Sequence, residues 1–538
     1  MEVLALFTKP SPGGFFPVRV KIANNLKVDR SIYLNFESTS SYLETASTNS
    51  SFNFTAPAGK AVTRDIMVPL SPPANSYGNS TITARLGGSL GTSANSISSG
   101  FGSTQPAVLL SESLFTPHAS SLDAEISGKF PSSTGRAEFS AKFDPKQLPD
   151  DWLAFSGYDS VIMTDTDWTN VPPGGRNAIL SWVRLGGQLL VFTNSTATRA
   201  ALGLPVESGF GSIGVLSLPK SGNFARELVN AVTHNPVSPR QISIQSGFTR
   251  SWPLQKDFGE QKFRYSLFVF VLIVFGIVVG PVNLFVFAKS GQRHKLFITT
   301  PIISLVASLI MIGMIIVQDG FGGSGIRRVL MEVRPDGGLN SAYLHQEQFS
   351  RTGVLTGSDF TLSTPAAFSP VAIASSRWAR YSDTSAKGIF NLQPVDGKLL
   401  ASGDWFQSRS EQGQVLSAVV STRGRIEKTD TPGTCLSTFE FPIETIYLLD
   451  DANQWQRAED IQAGKRFVFT PVDGPLAVKA LMDEGAAFGQ RNRDLFAPTS
   501  IRSGHFAAIT THAPGIETNP SIRWRETRTI ITGPVVSP

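Results

Sequence analysis

The chain has 538 residues, a formal net charge of +5 and a charged fraction of 17%. That is length for several domains, and the low charge density with abundant Ser, Thr, Asn and Gly fits β-rich modules rather than a disordered polyelectrolyte. The basic residues form no stripe interleaved with aromatics, which excludes a nucleic-acid interface on electrostatic grounds. The only cysteine, Cys435, rules out an internal disulfide and any cysteine-based zinc or iron–sulfur site within one chain.

Residues 1–100 read as an all-β module. Met1–Phe7 lacks the basic and apolar regions of a signal peptide, and residues 2–8 have the pattern of a first strand. Either a leader precedes this strand and is removed, or the first apolar helix exports the N-terminal flank, or the domains are cytoplasmic; the first is preferred. Phe16–Ile22, Ser31–Phe36, Ala61–Val68 and Ser80–Leu86 alternate apolar and polar side chains, as half-buried strands do. Short strands between Pro, Gly, Asn and Ser clusters predict an immunoglobulin-like β-sandwich. Gly87–Gly102, rich in Gly and Ser, is expected to be a loop or linker.

Residues 105–245 change pattern. Ala107–Ser111, Asp159–Asp165 and Gln188–Thr193 are compact apolar strands, and Asn177–Arg184 has helical spacing. Gly186 and Gly187 stop that helix by permitting positive φ. Strand, helix, glycine stop and strand predict a parallel βαβ unit. The run from Leu148–Trp152 through Gly157–Met163 to Ser181–Val191 resembles class I glutamine-amidotransferase-like domains of bacterial membrane proteins. The resemblance implies a similar α/β fold beside β-sandwich modules and transmembrane helices. It also implies a catalytic test, because enzymes of that class attack an amide with a cysteine on a glycine-flanked strand-to-helix turn, paired with a histidine. Here the strand leads into Asn194–Thr198, which has neither cysteine nor glycine. Ser195 stands near the nucleophile position and His234 is the histidine available to it. The resemblance therefore implies a degenerate unit, a pseudoenzyme kept for its surface, with Ser195, His234 and Asp165 as the weaker catalytic alternative.

Asp165 and Asp167 fall at the carboxyl end of a predicted strand, where open α/β sheets hold ligands. They are either a hard-cation pair or a solvated loop capping the next turn. Trp168 beside them packs on the sheet or rims a partner surface. The six histidines form no metal-binding spacing, and no cofactor is expected.

Ser266–Phe287 and Leu296–Val317 are uncharged apolar runs of about 22 residues, roughly 33 Å of helix, enough to cross a bilayer core about 30 Å thick. Joined by Ala288–Lys295, they predict a transmembrane hairpin over 263–318, returning both large flanks to one side. Lys289, Arg293 and Lys295 in the turn place it in the cytoplasm by the positive-inside rule. Both flanks are then expected outside the cytoplasm, in the periplasm of a bacterial inner-membrane protein. Gly276–Gly280 and Ser304–Ser308 are small-xxx-small pairs, expected to pack the hairpin together or to dock a partner's helices. Pro281 predicts a kink, and Asn283, near the turn, is expected at the interface rather than buried. No charge lies in either span, which argues against an ion pathway.

Asp319–Ile326 is expected to be a flexible exit from the membrane; Gly320–Gly325 lacks the lysine of a phosphate loop. Residues 327–538 read as β-sandwich-rich. Candidate strands are Arg328–Arg334, Gly353–Thr356, Gln414–Ser421, Glu444–Leu449 and Lys465–Thr470, with a short helix at Ala477–Asp483. Trp378, Trp405 and Trp455 are either sandwich core or a glycan platform. The four N-x-S/T sequons, at Asn49, Asn53, Asn79 and Asn194, occur at chance frequency for this composition. The expectation is thus a multidomain α/β plus all-β protein, with sandwich, parallel α/β, hairpin and C-terminal β units. Its partners are the lipid bilayer and a membrane or envelope protein, as an accessory to a transporter or envelope-assembly complex. Glycan binding and amide hydrolysis are the alternatives.

Overall fold

The computed structural model describes residues 1–538 except 11–13, 42–45, 72–76, 103–105, 130–139, 195–197, 220–223, 234–251, 260–264, 288–289, 336–339, 372, 374–380, 383–384, 387, 432, 490–491, 494–500 and 538. The N-terminal strands are β1 (Glu2–Ala5), β2 (Phe15–Ala23), β3 (Arg30–Ser41), β4 (Ala46–Ala56), β5 (Ala61–Pro69), β6 (Tyr77–Gly88) and β7 (Ser93–Gly102). β1, β2 and β5 form an antiparallel sheet. Its Val18, Val20, Ile22, Ile66 and Val68 pack on Ile32, Leu34 and Phe36 of β3 and Ile82 and Leu86 of β6. The period-2 pattern thus puts one face of each sheet into a shared core. The stretch expected as a loop at 87–102 is instead a hairpin, with β7 pairing antiparallel to β6. Ladder hydrogen bonds need no side chain, and Ile97 opposite Ile82 packs against the core, so a Ser/Gly-rich sequence suffices.

A parallel sheet follows: β8 (Val108–Ser111), α1 (Glu112–Lys129), β9 (Ser140–Phe143), β10 (Ser160–Thr164), α2 (Asp165–Asn170), α3 (Pro173–Arg184), β11 (Gln188–Thr193), β12 (Ser212–Ser217) and α4 (Phe224–Thr233). The strand order is β12-β11-β10-β8-β9, every neighbouring pair parallel. β11 is buried at all six positions because helices cover both faces. One face packs Val161, Met163, Leu189 and Val191 against Trp168, Ile179 and Trp182. The other packs Leu110, Ile162 and Phe192 against α1 and α4. Gly186, at φ +111°, ends α3.

Next come α5 (Pro253–Phe258), α6 (Tyr265–Ile277), which continues as a π-helix over Val278–Phe287, and α7 (Leu296–Asp319). Ser266–Phe287 and Arg293–Val317 are long and apolar enough to cross a membrane, and their side chains are almost wholly exposed. The π-helical segment contains Pro281, which has no N–H to donate. Asn283 is fully buried, contrary to its expected interfacial place. Its Nδ2 donates to Thr300 Oγ1 at 2.9 Å and its Oδ1 accepts from Thr299 Oγ1 at 2.6 Å. A buried amide must find polar partners, and Thr299 and Thr300 on α7 supply them. Gly276 and Gly280 do not join the hairpin: a Cβ built on either meets nothing within 4 Å. Ser304 is half-buried and Ser308 exposed.

The C-terminal elements are β13 (Gly323–Arg334), β14 (Ser341–Thr352), β15 (Phe360–Leu362), β16 (Ala366–Val371), β17 (Tyr381–Ser382), β18 (Ser385–Ala386), β19 (Gly388–Val395), β20 (Lys398–Gly403), β21 (Glu411–Ser421), β22 (Ile426–Lys428), β23 (Thr434–Ser437), β24 (Ile443–Leu449), β25 (Trp455–Ile461), β26 (Arg466–Val468), β27 (Thr470–Pro471), α8 (Gly474–Gly485), β28 (His505–Thr510) and β29 (Ile522–Val536). The main sheet runs β16-β21-β14-β13-β29-β28-β24-β25-β27. Gly353–Thr356, expected as a strand, contributes a single bridge between Val354 and Phe321. That bridge also replaces the expected flexible exit: Gly322 N donates to Val354 O at 2.9 Å and Gly353 N to Gly322 O at 2.7 Å. Gly322, at φ +74°, makes the turn, and β13 starts at the next residue.

The flanks of the hairpin interlock. β19 pairs in parallel with β4, so the second N-terminal sheet reads β15-β20-β19-β4-β3-β6-β7. Arg184 Nη1 donates to Tyr343 Oη across the two flanks at 3.0 Å, while within the N-terminal flank Tyr158 Oη donates to Thr8 O at 2.9 Å and ties the α/β unit to the first strands.

Replacing Asn283 by Val removes both interhelical hydrogen bonds while keeping the helix volume. The variant is expected to lose about 1 kcal/mol of hairpin stability, read in detergent by denaturant titration with the hairpin ends spin- or dye-labelled. Unchanged stability would show that the amide is not the clamp.

Candidate functional site

The parallel sheet has a crevice built into its topology. From β8 the chain passes to β9 on one side and then to β10 on the other. With β8 counted as the first strand, the order is the doubly wound 2-1-3-4-5 arrangement, in which ligands sit outside the carboxyl ends of the strands flanking the reversal. Those ends carry Ser111 of β8, Thr164 of β10 and Thr193 of β11; α1 supplies Ser113, and α2 supplies Asp165 and Asp167.

These groups satisfy one another. Thr164 caps α2: its Oγ1 accepts from Asp167 N at 3.1 Å, and its own N donates to Asp167 Oδ2 at 3.1 Å. This reciprocal box pairs two otherwise orphaned amides. Ser113 Oγ also donates to Asp167 Oδ2, and Ser111 and Ser113 hydroxyls lie 3.2 Å apart. Burial raises the Asp167 carboxyl, but hydrogen bonds from Ser113, Ser111 and the Thr164 amide outweigh it and hold the carboxyl below its ordinary value. Asp165 turns the other way: its Oδ2 accepts from Thr193 Oγ1 at 2.5 Å, and its Oδ1 from Thr166 N at 2.7 Å.

The two carboxylates thus take separate partners, Asp167 the α2 cap and Ser113, and Asp165 the Thr193 hydroxyl and the Thr166 amide. Among the described residues, no group of three or more His, Cys, Asp or Glu could hold a metal ion. Ser195 and His234 lie outside the described residues, as does Trp378. Trp168 is core: it is buried, its Nε1 donates to Leu202 O at 2.9 Å, and the Arg176 guanidinium lies 5.6 Å from its ring centroid. Trp405 is core as well, stacked on Phe368 at 4.4 Å with Nε1 donating to Asn391 O. Trp455 is half-buried against the Leu330–Tyr447–Ile530 cluster, with Val472 N donating to its carbonyl. A sugar platform needs open aromatic faces, and Trp405 has none to offer.

A second polar system was not visible in the sequence. β14 carries His345, Gln346, Glu347 and Gln348, all buried. The Glu347 carboxylate accepts from Trp252 Nε1 at 2.7 Å, Gly489 N at 2.8 Å and Asn492 Nδ2 at 2.7 Å. Gln346 Nε2 donates to Ile516 O, and Gln348 Nε2 to Gln414 Oε1. Nearby, Glu207 from the α/β unit meets Arg334 and, at 3.1 Å, His505 Nε2, while Arg334 also pairs with Glu332. The Phe210 ring packs against His345, tilted, with centroids 5.3 Å apart. These contacts weld the α/β unit and the pre-membrane segment to the C-terminal sheet. The only sequence signal for them is a run of polar residues flanked by Tyr343–Leu344 and Phe349.

No protein-family model and no curated protein matches this chain. Among solved structures, a calcium-binding mutant of Bacteroides uniformis beta-glucuronidase 2 aligns over 37% of this chain and 24% of its own, at 10% identity and a TM-score of 0.14. At that score it carries no argument about fold or function.

The Asp167 network has an acid signature. A carboxyl held below its ordinary value contributes stability above about pH 4, the unfolded carboxylate value, and loses it as pH falls through the depressed value. Asp167→Ala is expected to cost about 1–2 kcal/mol at neutral pH and to flatten the acid limb of the melting curve. Tryptophan fluorescence from the adjacent Trp168 reads this out. An unchanged melting temperature would show that the box is not structural.

Proposed function

We propose that this chain is a membrane-anchored, non-enzymatic envelope protein whose soluble body binds a protein partner. The observation that carries this reading is the self-satisfied switch point. At the crevice where a doubly wound sheet does its chemistry, Asp165 and Asp167 are spent on helix capping and strand-end hydroxyls. A general base or a metal site needs its carboxylate free to face a substrate. On this reading the amidotransferase-like α/β unit is a degenerate one, retained for its outer surface beside an immunoglobulin-like sandwich.

The setting supports it. Two apolar helices joined by a basic turn anchor the chain, and the flanks on either side interlock through β4–β19, Trp252–Glu347 and Glu207–Arg334. Such contacts require both flanks on one side of the bilayer. The basic turn at 288–295 supports a location for that side outside the cytoplasm of a bacterial inner membrane, by the positive-inside rule. An accessory role beside a transporter or an envelope-assembly complex fits a rigid body on a two-helix anchor without transport chemistry of its own.

The test pairs chemistry with capture. Purified full-length chain incubated with glutamine is expected to release no ammonia above buffer. Photo-crosslinkers on the exposed face of α4, installed in native membranes, are expected to trap one defined envelope protein in stoichiometric yield. Glutamine turnover abolished by Ser195→Ala would overturn the non-enzymatic reading. A reporter fused near Gly291 is expected to be active only as a cytoplasmic fusion; export of that fusion would overturn the sidedness.

A further inference from the structure

Both membrane helices meet the soluble body at one end of the main sheet. α5 ends at Phe258, and Gly259 is six residues before α6, a reach of at most about 20 Å. α7 ends at Asp319, and Phe321 and Gly322 lead directly into β13. At this end β13 pairs with β29, Gly323 opposite Ile522, Ser324 opposite Arg523 and Gly325 opposite Trp524; the register then shifts so that Ile326 faces Glu526. Arg525 is the extra residue of this bulge. Bulges re-aim side chains, and this one carries the Arg525 guanidinium to 5.1 Å from the centroid of Phe258. Arg351 lies 4.9 Å from the same ring, with Nη2 donating to Gly259 O at 2.7 Å.

One aromatic ring thus holds two guanidinium groups at the point where the chain approaches the bilayer. Arg351 has its carboxylate, Glu411, and the neighbouring Arg328 is served by Glu526 and Asp257. Exposed Arg523 and Arg525 meet no carboxylate among the described residues, and Lys256 is exposed on α5, the helix whose Phe258 ring lies under Arg525. Phe321, 70% exposed, adds a bare apolar ring at the exit of α7. Gathering like charges costs energy unless an anion joins them. Guanidinium forks match the phosphodiester oxygens of a lipid headgroup, and an exposed phenyl ring at that depth gains by entering the acyl boundary.

We propose that Arg523 and Arg525, with Lys256 and Phe321, form a collar that binds the phosphate of an anionic phospholipid at the membrane-facing end of the main sheet. This rests on the reading that the hairpin spans a bilayer. The collar fixes the tilt of the body over the membrane and is separate from the partner surface on the α/β unit.

The experiment uses the full chain in nanodiscs of equimolar phosphatidylcholine and phosphatidylglycerol, followed by native mass spectrometry of the lipids retained after mild detergent. Phosphatidylglycerol is expected to be retained about fivefold over phosphatidylcholine for each arginine engaged at low salt. Arg523→Ala with Arg525→Ala is expected to abolish the preference. Arg523→Lys with Arg525→Lys keeps most of it, and Arg64→Ala with Arg85→Ala on the distant N-terminal sheets leaves it intact. Unchanged tryptophan melting certifies that the alanine variant is folded. Equal retention of the two lipids, or a preference surviving in the alanine variant, would overturn the collar while leaving the anchor standing. Displacement of the lipid by inorganic phosphate alone would assign the site to free phosphate and overturn the lipid assignment. Extraction of the wild-type chain from membranes by alkaline carbonate would overturn the anchor, and the collar with it.

Discussion

The Glu347 carboxylate, sealed inside the body on β14, is the constraint on which the arrangement depends. A buried carboxyl is costly to desolvate and must find hydrogen-bond partners. Its donors come from far apart in the chain: the indole of Trp252 at the start of α5, and Gly489 and Asn492 after α8. Leaving a buried polar group without its partner costs about 1–3 kcal/mol, so each of these contacts supports the others. The interaction selects one arrangement of pre-membrane segment, sheet and C-terminal connection. Separated arrangements leave the carboxyl in apolar surroundings, where Phe349 and Trp252 meet edge to face at 5.9 Å.

That constraint makes the apolar hairpin an extension of the sheet rather than a tether. α5 packs on Phe349 through Trp252 and Phe258, and α7 passes into β13 through a turn of two left-handed glycines, Gly320 and Gly322. A side chain at Gly322 would press on Ser521 O at 2.7 Å, so the exit leaves no slack. Within the hairpin the polar clamp at Asn283 sits at the turn end, and the small-residue face of α6 is left outward. A motion of the hairpin is therefore delivered to β13 and β14, the strands that also carry the Glu207 and Arg184 contacts to the α/β unit.

What the sequence made legible followed one rule, apolar patterning: unbroken apolar runs for the two long helices, periodicity and glycine stops for the α/β elements. The two long helices, β10, α3 and β11 stand where hydrophobic pattern and glycine stops placed them, because tertiary context there agrees with local preference. The misses share a cause. β14 has no apolar alternation because its buried residues are His, Gln and Glu whose partners lie on β21 and in distant loops. β7 is Ser/Gly-rich because its backbone, not its side chains, does the pairing. Asn283 looked interfacial because it lies near the turn; its partners Thr299 and Thr300 become neighbours only once the hairpin closes. At the switch point the residue types and their strand-end position were readable. Their mutual satisfaction was not, since it depends on the side-chain directions of Ser113 and Thr193 from other elements.

The β4–β19 pairing follows from the hairpin more than from either strand. Its register joins Ala46–Ser50 to Gly388–Leu392, with Asn49 Nδ2 donating to Asn391 Oδ1 at 3.1 Å across more than half the chain. Closing so long a loop is costly for a free chain and makes such a contact late to form. Until β19 arrives, β4 is an open sheet edge, a hazard that proteins do not leave uncovered. With the hairpin crossing a bilayer twice, as proposed, the search is shorter: the ends of both flanks are fixed within one hairpin width, on one surface. A single pass would strand β4 and β19 on opposite sides of the bilayer, and the sheet could never close. On that reading an even number of crossings is a requirement of the soluble fold itself, and the anchor and the body are solutions to one topological problem.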